Sequence, residues 1–454
     1  MKVCKFGGSS LADASQVRKV VDIVLSDPER KIVVVSAPGK RNKADTKVTD
    51  MLIACADRRI AEQDYSGQMK AVIDRYSSLC AELELSSTVA ADIAGHLRSV
   101  INSDPSHKGR YMDAVKAAGE DNCARLVAAE FVGRGVQARY LDPGDAGLLL
   151  TEEFGNAQLL SDSYARLADI RKYDGITVFP GFFGYTRSGH VATFPRGGSD
   201  ITGAILSAAV KADLYENFTD VDSVFAVDPS LVSGAAAIAE LTYREMRELS
   251  YAGFSVLHEE AILPTAQAGI AICVKNTNNP SAAGTMIVPK HHLVGSRVVG
   301  IASDEGFCSI YLEKYLMNRE IGFGRKLLEI LEKEGIPFEH MPSGIDNISV
   351  IVREKWFSPE VEKRVLERVK KDLGVNEAEV ERGLAIVMIV GEGMRFAVGL
   401  AARATAALSE AGVNIEMINQ GSSEISMMFG VKAVNRKKAV ASLYQAFFGP
   451  AKHG

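Results

Sequence analysis

Short runs of β-branched residues alternate with longer amphipathic segments through about the first 290 residues of the chain. One amphipathic segment, residues 11–26, carries Val17, Val20, Val21 and Val24 at the spacing of one helix face. The alternation predicts an α/β domain with a largely parallel and buried central sheet. The strand-like runs cover residues 2–6, 31–36, 175–179 and 270–274.

A long helical stretch interrupts this alternation between residues 56 and 132. It is broken near 102–105, where the sequence reads Asn-Ser-Asp-Pro, a combination typical of a turn. We expect these helices to cover one side of the sheet.

A smaller pattern occurs twice after residue 290. Residues 308–352 predict a strand (309–312), a helix (323–333) and two strands (337–340 and 348–352). Residues 384–434 repeat this order with a strand (385–390), a helix (397–411) and two strands (413–418 and 424–431). Gly335 and Gly412 follow the two helices, as C-terminal caps do. The repeat predicts a duplicated ferredoxin-like βαββαβ unit.

Two glycine-rich segments stand far apart in the chain, Lys-Phe-Gly-Gly-Ser-Ser at 5–10 and Arg-Gly-Gly-Ser-Asp at 196–200. Each places a cation and glycines beside a predicted helix start, where free N–H groups and the helix dipole favour phosphate. Either segment alone also fits an ordinary turn. Together they suggest that the chain binds a nucleotide polyphosphate.

Composition narrows the class of protein. The 454 residues are 47% hydrophobic and 24% charged, which is ordinary for a globular protein of two or three domains. The formal net charge of −5, without a long basic run, argues against nucleic acid as the main partner. No apolar stretch is long enough to cross a membrane, and the chain starts in a strand without a signal-like segment. We expect a cytoplasmic protein without a membrane partner.

The six cysteines are scattered without a Cys-x-x-Cys pair. This spacing argues against a zinc site or a disulfide framework. We expect all six to be small buried hydrophobic residues, and no metal ligand set is assigned.

Further motifs occur in a fixed order along the chain. They are Lys-Phe-Gly-Gly-Ser-Ser (5–10), Val-Val-Ser-Ala (34–37), Gly-Glu (119–120), Arg-Gly-Gly-Ser-Asp (196–200), Phe-Thr-Asp-Val-Asp (218–222) with Asp-Pro (228–229), and Val-Gly-Glu-Gly-Met (390–394). With them the chain resembles the aspartate kinases (aspartokinases) from about residue 1 to about residue 450. Departures from the family pattern are Ser9, where threonine is usual, and Phe194-Pro195, where Leu-Gly is common.

The resemblance implies a fold and a domain order. A carbamate-kinase-like amino-acid-kinase domain, three-layered αβα, is expected over 1–290. Two ferredoxin-like ACT domains are expected over 300–380 and 381–450, with strands that may be exchanged between them. We expect the monofunctional form of the enzyme, as a homodimer or homotetramer joined through the ACT domains.

The resemblance also implies an activity. ATP would phosphorylate the β-carboxylate of L-aspartate to give 4-phospho-L-aspartate, the first step toward lysine, threonine and methionine. Mg²⁺ would be held mainly by the phosphates and by water. Because an aspartate carboxylate is already ionised near neutral pH, catalysis requires positioning and charge neutralisation more than proton transfer.

The family pattern places Lys5 against the phosphates, with donors from Gly7, Gly8, Ser9 and Ser10. Asp200 is assigned to orienting Lys5 and these donors, with a water-mediated contact to Mg²⁺ as a further option. The nucleotide side of the site would comprise Thr219, Asp220, Phe225, Asp228, Pro229 and Lys275. The structural alternatives are that Lys5 is a solvent-exposed lysine at a strand end and that the aspartates of the nucleotide segments are ordinary turn residues.

For aspartate itself, Arg196 offers a planar fork for the α-carboxylate and Glu120 offers the opposite charge for the α-ammonium group. The motifs add further substrate contacts at Ser36, Thr49, Gly197, Gly198 and Ser199. Thr46 competes with Thr49, because the loop after Ser36 is long and charged.

Feedback control is expected at the ACT units. The candidate effector residues are Met317, Glu320, Phe338, Glu339, Ser343, Ile345 and Asp346. Glu339 and Asp346 offer acids for a cationic side chain, so lysine is favoured, with threonine, or both together, as alternatives. Two other readings of the whole chain stay open: another enzyme of the amino-acid-kinase class, or a non-catalytic amino-acid sensor.

Overall fold

A computed structural model describes residues 1–254, 256–291, 298–421 and 425–449. Contacts divide the chain into two compact units. The first unit comprises Met1–Val224, Ala237–Arg247 and the described part of Ser255–His292. The second comprises Phe225–Ala236, Glu248–Phe254 and the described residues from 298 onward.

The elements up to residue 291 alternate much as the sequence predicts. The strands are β1 (Lys2–Phe6), β2 (Arg30–Val35), β3 (Ala138–Tyr140), β4 (Leu149–Leu150), β5 (Ile176–Pro180), β6 (Phe183–Thr186), β7 (Val191–Thr193), β8 (Leu214–Thr219), β9 (Glu240–Thr242), β10 (Ile272–Asn276) and β11 (Thr285–Val288). The helices are α1 (Ala14–Leu25), α2 (Val48–Ile60), α3 (Ser66–Glu82), α4 (Ser87–Ile101), α5 (Lys108–Gly133), α6 (Pro143–Ala146), α7 (Ser163–Leu167), α8 (Gly198–Val210), α9 (Tyr243–Tyr251) and α10 (Glu259–Ala268).

The first unit is built on an eight-stranded sheet in the order β3-β5-β2-β1-β8-β10-β11-β9. The six strands from β3 to β10 run parallel, and only the β10–β11 pairing is antiparallel. A separate three-stranded sheet has the order β4-β6-β7. The prediction of a largely parallel buried sheet is therefore confirmed.

Side chains alternate between the two faces of this sheet. Cys4 and Phe6 of β1 belong to a hydrophobic core formed with helices α1 to α5. Lys5, which points to the other face, contacts α8 through Asp200. Helices therefore cover both faces, and the three-layer αβα arrangement is confirmed.

One helix start differs from its prediction. α1 begins at Ala14 rather than near residue 11, because Gly8–Leu11 forms a short 3₁₀ helix. The Asp13 side chain caps α1 by accepting a hydrogen bond from the Gln16 N–H. The first glycine loop therefore leads into a 3₁₀ turn and not directly into the N-terminus of an α-helix.

The second unit contains strands β12 (Gly300–Glu313), β13 (Phe338–His340), β14 (Asn347–Arg353), β15 (Glu377–Val390), β16 (Met417–Asn419) and β17 (Ser426–Lys432). Its helices are α11 (Phe323–Lys333), α12 (Pro359–Arg368), α13 (Leu400–Glu410) and α14 (Arg436–Phe448). The strands form one six-stranded sheet in the order β13-β14-β12-β15-β17-β16. Residue 424, the predicted start of the last strand, lies outside the described residues.

Two long strands at the centre of this sheet serve both halves of the repeat. In β12, residues 307–313 pair with β14 and residues 300–305 pair with 385–390 of β15. The same part of β15 pairs with β17. Within the sheet, the four strands of each half thus have the same spatial order, which is that of a βαββαβ unit. The half containing α13 and α14 takes its fourth strand from the start of β12, which precedes its other elements in the chain.

Two local expectations hold in the structure. Gly335 and Gly412 both have the left-handed conformation, with φ of +69° and +62°, directly after α11 and α13. All six cysteines are buried and free. Among the residues described, no helix combines the length and the apolar character needed to cross a membrane.

Candidate active site

The carboxyl ends of five parallel strands meet at one edge of the large sheet. The pairing sets Phe6 beside both Val35 and Phe218, Val35 beside Pro180, and Lys275 beside Phe218. In open α/β sheets, ligands bind outside this edge. Of the predicted site residues, Lys5, Thr219 and Lys275 lie at or next to the ends of these strands, and Gly7 and Ser36 directly follow two of them.

A buried ion pair lies at the centre of this edge. Lys5 Nζ is 2.6 Å from Asp200 Oδ1, and the two side chains are 10% and 13% exposed. Asn217 of β8 touches both: its Oδ1 accepts from Lys5 Nζ at 3.4 Å, and its Nδ2 donates to Asp200 Oδ1 at 3.0 Å. The structure thus brings together the two residues predicted to be catalytic, and it places Asn217 against both of them.

The first glycine loop offers fewer free donors than its sequence predicts. The Gly7 N–H donates to Phe218 O at 3.1 Å, and the Ser10 N–H donates to Gly7 O at 3.0 Å. The Ser10 hydroxyl is buried against Thr277 Oγ1 at 2.7 Å. The backbone N–H groups of Gly8 and Ser9 make no hydrogen bond to any described residue, so two of the predicted loop donors are free.

Gly8 has a packing role as well. A Cβ there would lie 2.9 Å from Ala37 O, and the Gly39 N–H donates to Gly8 O at 2.8 Å. The loop after β2 therefore lies directly on the first glycine loop. A side chain at Gly8 would separate the two backbones.

Arg75 of α3 fastens these two loops together. It is 5% exposed, and its Nη2 donates to Ala12 O at 2.8 Å and to Gly39 O at 2.9 Å. Its Nη1 pairs with Asp45 Oδ2 at 2.9 Å. Asp45 also pairs with Arg41, and hydrogen bonds from Arg41, then from Arg75, hold the pKa of the Asp45 carboxyl well below its usual value.

The second glycine segment forms the N-terminus of α8. Gly197 caps the helix with φ of +77°, and a Cβ there would lie 2.4 Å from His258 Cβ, so only glycine fits this conformation and this contact. Gly198 and Ser199 are buried in the first turn, and Ser199 packs against Gly181 beyond β5. Arg196 is exposed and makes no hydrogen bond or ion pair to any described residue.

Glu120 approaches the same edge from the other layer of helices. It lies in α5, next to Gly119, which packs against Ala37 beyond β2. Glu120 is 6% exposed, and its Oε2 is buried without a hydrogen-bond partner. Burial raises the pKa of its carboxyl to about 7, although backbone hydrogen bonds at Ala37 and Glu120 act in the opposite direction. A buried carboxylate of this kind is costly in free energy unless a cation pairs with it.

The remaining aspartate candidates lie on or near the loop after β2. Ser36 follows that strand directly, is half-buried, and donates its N–H to Phe6 O at 3.2 Å. Thr49 is half-buried in the first turn of α2, whereas Thr46 is exposed in the preceding loop.

The nucleotide candidates fall into two groups. Thr219 and Asp220 lie at the end of β8, where the Thr219 hydroxyl donates to Asp220 Oδ1 at 3.2 Å, and Lys275 lies near the end of β10. Phe225, Asp228 and Pro229 belong to the segment Phe225–Ala236 of the second unit. Asp228 is exposed, and its Oδ1 accepts a hydrogen bond from the Ser230 N–H at 2.8 Å.

The effector candidates all lie in the second unit, around the loops after β12 and β13. Two of their acids already have cationic partners: Glu320 pairs with Lys314 and Lys326, and Glu339 pairs with Arg353. The Asp346 carboxylate accepts the Leu316 N–H at 2.7 Å and pairs with no cation among the described residues. Phe338 and Ile345 are exposed apolar side chains, and Met317 is buried. Ser343 forms a bridge with Ile348.

Sequence reasoning missed Asn217 and Arg75. Arg75 stands among Val72, Tyr76 and Leu79 on the buried face of α3, and a cation at a core position of a helix was a usable signal. Asn217 similarly stands in a strand whose neighbours are buried. No group of three or more acidic, histidine or cysteine side chains that could hold a metal ion occurs in the part of the chain that the structure describes.

Comparison with known proteins identifies the family. The amino acid kinase family model matches residues 1–276, and an ACT domain model matches residues 387–447. Aspartokinase 3 of Bacillus subtilis (strain 168) is 56% identical over 448 residues, covering 99% of this chain and 99% of that protein. Lysine-sensitive aspartokinase 3 of Escherichia coli (strain K12) is 25% identical and covers 98% of this chain and 99% of that protein.

Solved structures agree. Clostridium acetobutylicum aspartate kinase matches with a TM-score of 0.86 at 38% identity, covering 98% of this chain and 100% of that one. E. coli aspartokinase III, solved with aspartate and ADP, shares the fold with a TM-score of 0.82 at 24% identity, covering 99% and 100%. The chain belongs to the aspartokinases, enzymes of the amino acid kinase family with an ACT domain.

Proposed function

We propose that this chain transfers the γ-phosphoryl group of ATP to the side-chain carboxylate of L-aspartate, giving 4-phospho-L-aspartate, under feedback control by an amino acid. The observation that carries the proposal is the pairing of two features at one sheet edge. They are the buried Lys5–Asp200 ion pair, beside free loop donors, and the buried Glu120 carboxyl group, whose Oε2 has no hydrogen-bond partner among the described residues. The named relatives support the same activity.

The reaction brings an anionic nucleophile to an anionic phosphoryl group, so its barrier is largely electrostatic. Lys5 is 8% exposed and lies one residue before the end of β1. Its ammonium group would neutralise charge on the transferring phosphoryl group. The Gly8 and Ser9 N–H groups would hold the phosphate oxygens, and Asp200 would keep Lys5 in place.

Aspartate would be recognised by both of its backbone charges. Arg196 is exposed and unpaired among the described residues, so its guanidinium fork is available for the α-carboxylate. Glu120 would bind the α-ammonium group and so satisfy its unpartnered oxygen. This pair explains how an amino acid is distinguished from a plain dicarboxylate, with Ser36, Thr49, Gly197, Gly198 and Ser199 shaping the site between them.

ATP would lie along the ends of β8 and β10, with Thr219, Asp220 and Lys275 as contacts. Mg²⁺ fits a site where phosphates and water supply most ligands, since no all-protein cluster is found among the described residues. Asp200 would hold it through water, because Oδ2 of this carboxylate makes no hydrogen bond to a described residue. Bound there, the ion would neutralise phosphate charge.

We further propose that the enzyme acts in the cytoplasm at the first step toward lysine, threonine and methionine. Six free, buried cysteines fit a reducing compartment. Residues 300–380 and 381–450 would be two ACT domains that assemble the homodimer or homotetramer and bind the effector. Lysine is the favoured effector, because a relative is named lysine-sensitive.

ADP release tests the activity directly. The chain should release ADP with L-aspartate and Mg-ATP, and it should not do so with N-acetylglutamate or without an acceptor. Activity with N-acetylglutamate would instead indicate another enzyme of the amino acid kinase family. Absence of any acceptor-dependent release would favour a non-catalytic sensor.

Replacing Lys5 by Ala should lower kcat by about 100- to 1000-fold, the range for losing one preorganised charge partner of a transition state. KM for aspartate should change far less, since the interaction strengthens as charge moves to the phosphoryl group. Steady-state kinetics measure both. Lys2→Ala, on the same strand but paired with Asp27, is the control and should keep kcat. An unchanged kcat for Lys5→Ala would remove Lys5 from the mechanism.

Replacing Arg196 by Lys should raise KM for aspartate by about 10- to 100-fold, because a point charge cannot reproduce a bidentate carboxylate contact. KM for ATP should stay within about threefold. Arg187→Lys, which alters an exposed arginine paired with Asp162, should change neither constant. Equal losses for ATP and aspartate would place Arg196 on the nucleotide.

Aspartate recognition should strengthen as pH rises through about 7, because only ionised Glu120 attracts the substrate ammonium group and burial raises its pKa to about 7. With that pKa, kcat/KM for aspartate should be about tenfold higher at pH 8 than at pH 6. Glu120→Gln should lose this dependence and bind aspartate weakly. Glu130→Gln, farther along α5 and paired with Arg134, should retain it. A flat wild-type profile would contradict the assignment.

Lysine should inhibit the full-length enzyme by weakening aspartate binding, and aspartate should weaken lysine binding by the same factor. Asp346→Asn should weaken inhibition by about tenfold, because this acid has no cationic partner among the described residues. Asp372→Asn, at an exposed acid near Arg368, is the control. Titrations with lysine and threonine, separately and together, measure the effect. If the activity does not change with any combination of lysine and threonine, these units bind another ligand.

A further inference from the structure

Asn217 touches both members of the buried ion pair, and neither the motifs nor the comparisons assign it a role. We propose that Asn217 is a positioning residue that sets the direction in which Lys5 points for phosphoryl transfer. The inference rests on the proposed kinase function. Asn217 is fully buried in β8, and the strand register places it directly beside Lys5 of β1.

The amide group suits this place because it accepts and donates at the same end of the side chain. Lys5 must donate, so the amide oxygen faces Lys5 Nζ, at 3.4 Å. The amide nitrogen then faces Asp200 Oδ1, at 3.0 Å. Asn217 thereby closes a triangle with the 2.6 Å ion pair.

This triangle uses two of the three N–H donors of the Lys5 ammonium group, one toward Asp200 and one toward Asn217. Because the ammonium group is tetrahedral, fixing two donors also fixes the direction of the third. That third donor is the one left for the phosphoryl group. Without Asn217, the ion pair alone would let the ammonium group rotate about the line to Asp200.

A second contact from β8 supports the same arrangement. The Tyr215 hydroxyl donates to the Asp200 backbone O at 3.1 Å. Tyr215 and Asn217 are two residues apart, so they lie on one face of the strand. Strand β8 therefore holds the first turn of α8 at the Asp200 backbone and at its side chain.

Asn217→Asp tests the role with little change of shape. It keeps an acceptor for Lys5, but it places a carboxylate oxygen about 3 Å from the Asp200 carboxylate, where like charges repel. We expect kcat to fall by about 10- to 100-fold, since small displacements of a catalytic group have effects of this size. KM for aspartate and for ATP should stay within about threefold.

The double variant Asp200→Asn with Asn217→Asp exchanges amide and carboxylate and restores one acid, one amide and one lysine. If the triangle acts as a unit, the double variant should be about tenfold more active than the product of the two single losses predicts. A merely structural role would not produce this recovery in kcat with unchanged KM values.

Asn122→Asp is the matched control, because Asn122 is also a fully buried asparagine and its amide donates to Ala118 O at 2.7 Å. It should lower the melting temperature while kcat stays within about threefold. If Asn217→Asp does not fold, Asn217→Ser replaces it, since a hydroxyl is too short to reach both partners and kcat should again fall about tenfold.

The outcomes separate the two proposals. A wild-type chain without aspartate-dependent ADP release would overturn the kinase function and this inference with it. If the wild type is active, two results would overturn the role of Asn217 alone. In the first, the Asn217 variants keep kcat; in the second, the loss of kcat in the double variant equals the product of the two single losses. Recovery in the double variant supports the positioning role.

Discussion

The buried ion pair between Lys5 and Asp200 is the constraint on which the arrangement of the site depends. Both side chains are nearly removed from water, and an unpaired charge in that place would be strongly destabilising. The pair forms only if β1 and β8 are neighbours in the sheet and α8 begins where Asp200 meets their carboxyl ends. The sheet order thus builds the cationic side of the site, and the glycine loops are fitted around it.

Glu120 illustrates the opposite solution for a charged group. Its carboxyl is buried without a counter-ion, which raises its pKa from 4.5 to about 7, a shift equivalent to about 3 kcal/mol. The folded state favours the protonated form, so this stability is present below pH 4.5 and is lost as pH rises through about 7. Lys5 is neutralised by Asp200 before substrate arrives, whereas Glu120 would be neutralised by the substrate in the proposed mechanism. Recognition of the ammonium group by Glu120 would then be obtained at the expense of stability.

Much of this architecture could be predicted from the sequence. Buried β-branched runs such as 31–36 predicted the parallel strands, and the repeat after residue 290 predicted the βαββαβ order, because both depend on local periodicity. The motifs also placed Lys5 and Asp200 in one site. The free donors of the first loop could not be predicted, since the Gly7 N–H is taken by Phe218 and the Ser10 hydroxyl by Thr277, both distant in sequence.

Long-range contacts also explain the shared strands of the second unit. The predicted strands 309–312 and 385–390 are parts of two fourteen-residue strands, β12 and β15. Residues 300–305 complete the half of the sheet that contains α13 and α14, although they precede both helical units in the chain. The half containing α11 and α12 has its four strands within residues 307–384, whereas the half containing α13 and α14 is one strand short without residues 300–305. A single cut between the two halves would therefore leave the second one incomplete. A ligand that displaced β12 or β15 in one half would necessarily move a strand of the other, which makes the six-stranded sheet a single mechanical element for any feedback signal.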